Sequence, residues 1–313
     1  HALLRKNGRL GMIVPSGIYS DKGTSELRRL FVDRCNWEWL FGFENKDGVF
    51  DIHRSFKFCA VVIEKGGQTL EIFTAFMRRD VDEWQRGEEF AFPYPKGRVE
   101  EFSADSFSIL EIQSRRDVQV MSSLFDGKLL LGERSSAGWG VMYSREFDTT
   151  NDSKLFPPRD KWEKDGYQYD GLISWVKGER HALPVYNAKM FEAWDFSASG
   201  WVSGKGRGSI WKSIGFPKEF GPEYLMPVDV FLSRISCGSA IKICFKDIST
   251  AIHKRTMMPA LVPNLPAVHA APTLRCDLGV EFLQAVLGSY VFDYIAKFKI
   301  GYLHLTYSVI SEK

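Results

Sequence analysis

This sequence is short of most features that announce a function at once. Its five cysteines, Cys35, Cys59, Cys237, Cys244 and Cys276, are odd in number and widely spaced. None forms a Cys-x-x-Cys pair, which argues against a disulfide framework and fits a reduced, cytoplasmic compartment. No run of about 18 apolar residues appears, so no membrane-spanning helix is expected, and the basic, apolar, small-residue order of a secretory signal is missing. The six histidines, His1, His53, His181, His253, His269 and His304, lack zinc-ligand spacing, and no metal is expected. Neither sign of charge dominates: 41 basic against 39 acidic residues leave +2, so overall charge does not announce a polyanionic partner. Acidic residues fall in no defensible nuclease order. Residues 204–209 mimic a phosphate-cradling loop but lack the Gly-Lys-Ser/Thr ending and a preceding strand, which speaks against nucleotide binding there.

What is present supports an α/β reading. With 44% hydrophobic residues in 313, the chain can bury one large core or two of average size. The apolar run at 10–14, bounded by Gly8 and Pro15, predicts a strand over 9–14. Leu27, Leu30 and Phe31 at helical spacing, with Thr24 or Ser25 as N-cap, predict a helix over 24–35. Strands are expected at 37–43, 57–64 and 71–77, the second apolar enough to be buried on both faces. This order suits the end of a doubly wound sheet with an antiparallel edge. Residues 81–128 read as a connector, polar and acidic at first and then helical over 106–125. From Leu129 onward aromatics and glycines crowd together and turn signals recur at Asp165-Gly166, Lys177-Gly178 and Gly221-Pro222, which predicts a β-rich, α+β domain over 129–313.

Two groups of motifs carry a family resemblance. Gly8-Arg9-Leu10-Gly11-Met12-Ile13-Val14-Pro15-Ser16-Gly17, followed by Phe43-Glu44-Asn45, Val49-Phe50 and Ile52-His53-Arg54-Ser55-Phe56-Lys57-Phe58, resembles the back half of an adenine-specific DNA methyltransferase domain. Leu183-Pro184-Val185-Tyr186-Asn187-Ala188-Lys189-Met190-Phe191, Lys246-Asp247-Ile248-Ser249 with His253-Lys254-Arg255-Thr256, and residues 282–307 resemble the target-recognition domain of single-chain restriction-modification and BREX-type phage-defence methyltransferases. The family usually has Arg at the position of Lys246 and Asn near His253. The resemblance implies residues 1–80 as the end of a methyltransferase domain and 129–313 as a target-recognition domain. The cofactor loop and the catalytic Asn/Asp-Pro-Pro-Tyr element of that family lie upstream of this point, and neither is in the sequence. The expectation is therefore a fragment that is catalytically inactive alone, from a parent using S-adenosylmethionine.

Methylating a base amino group requires swinging the base out of the duplex at a cost of a few kcal/mol, so something must stack on it. The resemblance assigns that stacking to Phe50, worth roughly 1–3 kcal/mol; a core phenylalanine is the alternative. Arg54 and Lys57 would meet phosphates or simply end a solvated strand. Trp201, Lys205, Arg207 and Lys212 interleave aromatic and basic residues with glycines, as a DNA-contacting loop would, and Arg207 could read guanine. An exposed hairpin with core tryptophans accounts for them equally. Lys254 and Arg255 form a basic turn that would sit on the backbone or pair internally with Asp247. Lys299 and His304, near the end, are further DNA candidates. The expected partners are double-stranded DNA and an N-terminal catalytic or nuclease portion, with no RNA and no membrane. A stand-alone specificity module or a protein-interaction domain without base readout is the competing expectation.

Overall fold

The computed structural model describes residues 2–128, 130–132, 138–235, 239–251, 253–277, 279–300 and 304–311, with the side chains of Arg207 and Ser308 outside that description. Contacts divide the chain into His1–Leu130 with Ser311–Lys313, and Leu131–Ile310.

The first unit is built on five strands, β1 (Arg9–Pro15), β2 (Cys35–Glu44), β3 (Lys57–Lys65), β4 (Glu71–Arg78) and β5 (Phe92–Pro95), in the order β1-β3-β2-β4-β5. The helix Ser25–Arg34 joins β1 to β2 and buries Phe31 and Val32, with Phe31 edge-on to Trp37 at 5.6 Å. The strand, helix, strand, strand order matches the sequence pattern. β3 lies between β1 and β2 and is antiparallel to both, so an antiparallel strand stands inside the sheet as well as at its edge. Only β2 and β4 pair in parallel, and β5 closes the far edge antiparallel to β4. The described strands thus form a mixed sheet.

Residues 81–128 lie within this unit. A helix over 106–125 does not form as expected; it starts at Arg115, where Ser114 caps it by accepting from the Asp117 amide. The preceding residues run as an irregular strap whose apolar side chains Phe107, Ile109, Leu110 and Ile112 are buried. Their spacing suits a helix, but the backbone finds better partners elsewhere. The fully buried Arg28 donates to the carbonyls of Phe107 (2.8 Å), Ser106, Ile18 (3.1 Å) and Asp21 (2.8 Å), and the Ile109 amide donates to the Tyr19 carbonyl at 2.9 Å.

The second unit contributes β6 (Met142–Ser144), β7 (Gln168–Tyr169), β8 (Trp175–Lys177), β9 (Arg180–Pro184), β10 (Ser199–Ser203), β11 (Ile210–Ser213), β12 (Leu225–Pro227), β13 (Ile241–Phe245), β14 (Pro259–Pro263) and β15 (Thr273–Arg275). They form two four-stranded sheets, β14-β13-β15-β6 and β12-β9-β8-β7, and a two-stranded ribbon, β10-β11. The helices Val280–Leu287 and Tyr290–Lys299 pack Leu283, Leu287, Phe292 and Ala296 with Ile243, Phe245 and Leu274 of the first sheet. An ion pair is sealed into this unit: Lys242 donates to both oxygens of Glu146 at 2.7 Å, both side chains being fully buried, with Arg275 at 3.5 Å. Such a pair is tolerated only because the remaining bonds are filled, here by the Leu265 carbonyl and the Ala267 amide.

Candidate nucleic-acid interface

In the first unit the chain between β2 and β3 is held by one side chain. Asn45, completely buried, donates to the carbonyls of Phe50 (3.0 Å) and Ile52 (3.2 Å) and accepts from the Phe50 amide at 2.9 Å. This clamp leaves Phe50 40% exposed, with its ring edge-on to Phe58 at 4.8 Å. Phe50 is therefore neither a core residue nor free in solvent. It lines a pocket of about 340 Å³ with Met12, Ile13, Phe43, Phe58 and Trp84. All twelve lining residues are apolar. Such a wall suits a flat π surface. It does not suit S-adenosylmethionine, whose amino-acid end and ribose diol need charged and polar partners, so no step through that cofactor is assigned to these residues.

The two cations near this pocket differ. Arg54 is exposed. Lys57 is committed to Glu111 on the strap, whose other oxygen accepts from the Tyr19 hydroxyl at 2.7 Å, and its side chain is only 17% exposed.

In the second unit the basic, aromatic stretch forms the ribbon β10-β11, with Trp201 opposite Trp211 and a register shift between Trp201 and Ser203. Its tip requires Gly204, which sits at φ +80°, where a Cβ would lie 2.4 Å from the Gly208 carbonyl oxygen. Each tryptophan is half-buried and covered by a cation: Arg159 lies 5.1 Å from the Trp201 ring, and Lys189 5.7 Å from that of Trp211. Trp211 packs on a core cluster containing Tyr186 and Phe191. Lys205 and Lys212 stay exposed, as do Val202 and Ile210. The Arg207 side chain lies outside the described residues. Neither Arg159 nor Lys189 was singled out from sequence as a cover for these rings; no spacing rule links 159 to 201.

The remaining candidates scatter. Lys254 is exposed. Arg255 is 19% exposed in its side chain and turned inward, donating to the Gly288 carbonyl, stacking at 4.7 Å on Tyr290 and lying 3.8 Å from Asp293. The internal pair anticipated between Asp247 and Arg255 is thus corrected: Asp293 accepts from the amides of Thr256 and Met257 at 2.8 Å and is the nearer carboxylate, whereas Asp247 takes other partners. Lys299, placed with the DNA contacts from sequence, is buried at 9% exposure, because it closes a helix whose apolar face enters the core. His304 is exposed, with Nδ1 2.8 Å from Asp247 Oδ2. Among the described residues no group of three or more His, Cys, Asp or Glu could hold a metal ion, and no helix is long and apolar enough to cross a membrane.

No family model and no curated protein matches the sequence. Among solved structures, the chain is similar to "a modification subunit of a putative type I restriction enzyme from Vibrio vulnificus YJ016", at 14% identity and TM-score 0.26 over 29% of this chain and 23% of that one. It is also similar to a chain of the type I R-M system, at 17% identity and TM-score 0.28 over 38% and 32%. A third similarity is to the type IIG restriction endonuclease BpuSI, at 12% identity and TM-score 0.37 over 98% and 40%. This chain therefore spans 23% to 40% of the length of these relatives.

Proposed function

We propose that the chain is the DNA-gripping part of a restriction-modification enzyme that methylates adenine. In this reading the second unit binds double-stranded DNA and the first offers Phe50 to a flipped base. The observation that carries the reading is the ribbon β10-β11. A two-stranded ribbon is narrow enough to enter a major groove about 12 Å wide. This one has exposed Lys205 and Lys212 to neutralise phosphates, and its tip glycines let backbone approach backbone. The tryptophans fix the ribbon's base rather than reading bases, since each is half-buried under its own cation.

The apolar pocket under Phe50 supports the stacking role, because a base entering it would lie against rings and aliphatic side chains with no unpaired polar group to desolvate. The methyl donor and the catalytic element belong, in this reading, to the rest of the parent enzyme, and the chain alone has no turnover. Fluorescence anisotropy with a mixed-sequence duplex tests the reading. Binding is expected at low salt, falling steeply toward physiological salt and weakening in a Lys205→Ala, Lys212→Ala double variant. Absence of binding at low salt, or methylation by the isolated chain, would each refute it.

A further inference from the structure

Asp247 follows β13, and its carboxylate is almost completely buried, at 3% side-chain exposure. Its backbone is pinned on both sides, the amide donating to the Ala270 carbonyl at 3.2 Å and the carbonyl accepting from the Leu305 amide at 2.8 Å. Oδ1 accepts from Arg145 Nη2 at 3.0 Å, and Oδ2 lies 2.8 Å from His304 Nδ1. Arg145 is fixed a second time by donating from Nε to the Tyr143 hydroxyl at 2.8 Å, and His304 by its antiparallel bridge to Ile248. Three separate segments, the end of β6, the end of β13 and residues 304–305, thus meet at one carboxylate.

The carboxylate is hidden and its two partners are not. Arg145 is 43% exposed and His304 55%. Arg145 has five N–H donors and uses two of them here, so the outer edge of a preoriented guanidinium faces water. With Nδ1 turned to the carboxylate, His304 presents Nε2 outward, and that nitrogen donates once the ring carries its second proton. An oxyanion placed over the pair would receive hydrogen bonds from the guanidinium and from the imidazole in its doubly protonated form, without ordering either side chain anew.

We propose that Arg145 and His304, splayed from Asp247, form a clamp for one backbone phosphate of DNA. This rests on the DNA-binding reading above and extends it to Arg145, which no motif marked. Asp247 is a positioning residue and does not itself touch the phosphate.

The test compares duplex affinity of the whole chain across a salt series for the unaltered protein, Arg145→Gln, His304→Gln, Arg145→Lys and the Lys205→Ala, Lys212→Ala ribbon variant, each with its thermal midpoint. Each lost phosphate contact removes about 0.9 from the slope of log affinity against log salt. Arg145→Gln is expected to show that loss, with affinity down about 3- to 10-fold for any duplex sequence, and Arg145→Lys to recover part of it. Slopes unchanged in Arg145→Gln and in His304→Gln while the ribbon variant weakens would overturn the clamp and leave the DNA reading standing. A lowered thermal midpoint with an unchanged slope would reduce the cluster to a structural tie and overturn it too. No binding by the unaltered protein would overturn both. Imidazole NMR shifts of His304 that respond to inorganic phosphate but not to duplex would assign the site to a free anion, against the proposal.

Discussion

Glu44 shows how a single side chain sets the local geometry of the base-stacking candidate. It ends β2 immediately before the Asn45 clamp, is buried, and takes Lys46 at 2.8 Å and Arg79 at 2.9 Å. Burial alone would raise its carboxyl, but the hydrogen bonds and charges of Lys46 and Arg79 outweigh that and hold it below the ordinary value of 4.5. A carboxyl whose folded value lies below its unfolded value stabilises the fold at pH above the unfolded value, and the contribution disappears as pH falls through the folded value. Glu44→Gln is therefore expected to lower the thermal midpoint at pH 7 and to flatten the loss of stability on acidification below 4.5. An acid limb of unchanged steepness would show that other carboxylates dominate it. Little of this was legible beforehand. The Val49-Phe50 pair was readable from its resemblance, whereas the Asn45 clamp and the Glu44 ion pairs join side chains to partners that no periodicity marks.

Elements with one strong local signal were legible, and those decided by distant contacts were not. The run at 10–14 and the apolar strand at 57–64 formed as strands because bounded apolar runs have few other solutions. The strap before Arg115 misled, since Ile109, Leu110 and Ile112 satisfy helical spacing while being buried outside any helix. The missed local cue was Ser114 with Asp117 three residues on, a helix start written into the sequence. The distant cause is Arg28. Its guanidinium donates to backbone carbonyls and the Thr24 hydroxyl, so replacing it strands buried acceptors. Arg28→Met is expected to cost about 2–5 kcal/mol. Hydrogen exchange should show the loss as early opening of residues 106–112, seen first at the Ile109 amide that donates to Tyr19. Uniform acceleration across the first unit would instead make Arg28 part of the global core.

At the scale of the whole molecule, charge decides how the proposed DNA binding would behave. The net charge of +2 spread over 313 residues gives no long-range field worth the name. Affinity must then come from a few cations held at the surface rather than from bulk attraction. Several of the cations singled out by sequence are spent inside the fold: Lys57 on Glu111, Arg255 near Asp293, and Lys299 in the interior. The exposed ones with described side chains are Arg54 in the first unit and Lys205, Lys212 and Lys254 in the second, where Arg145 and, when protonated, His304 join them. If the four lysine and arginine side chains of the second unit meet phosphates, with His304 adding a fifth contact in its protonated form, log affinity should fall with log salt at a slope of about −3.5 to −4.5. Sequence sorts basic residues by neighbourhood, but only burial separates those that pair within the fold from those left for a ligand. A slope steeper than about −7 would require cations beyond these five, with the exposed Lys154, Lys177 and Arg180 of the second unit and Arg54 of the first the next residues to substitute.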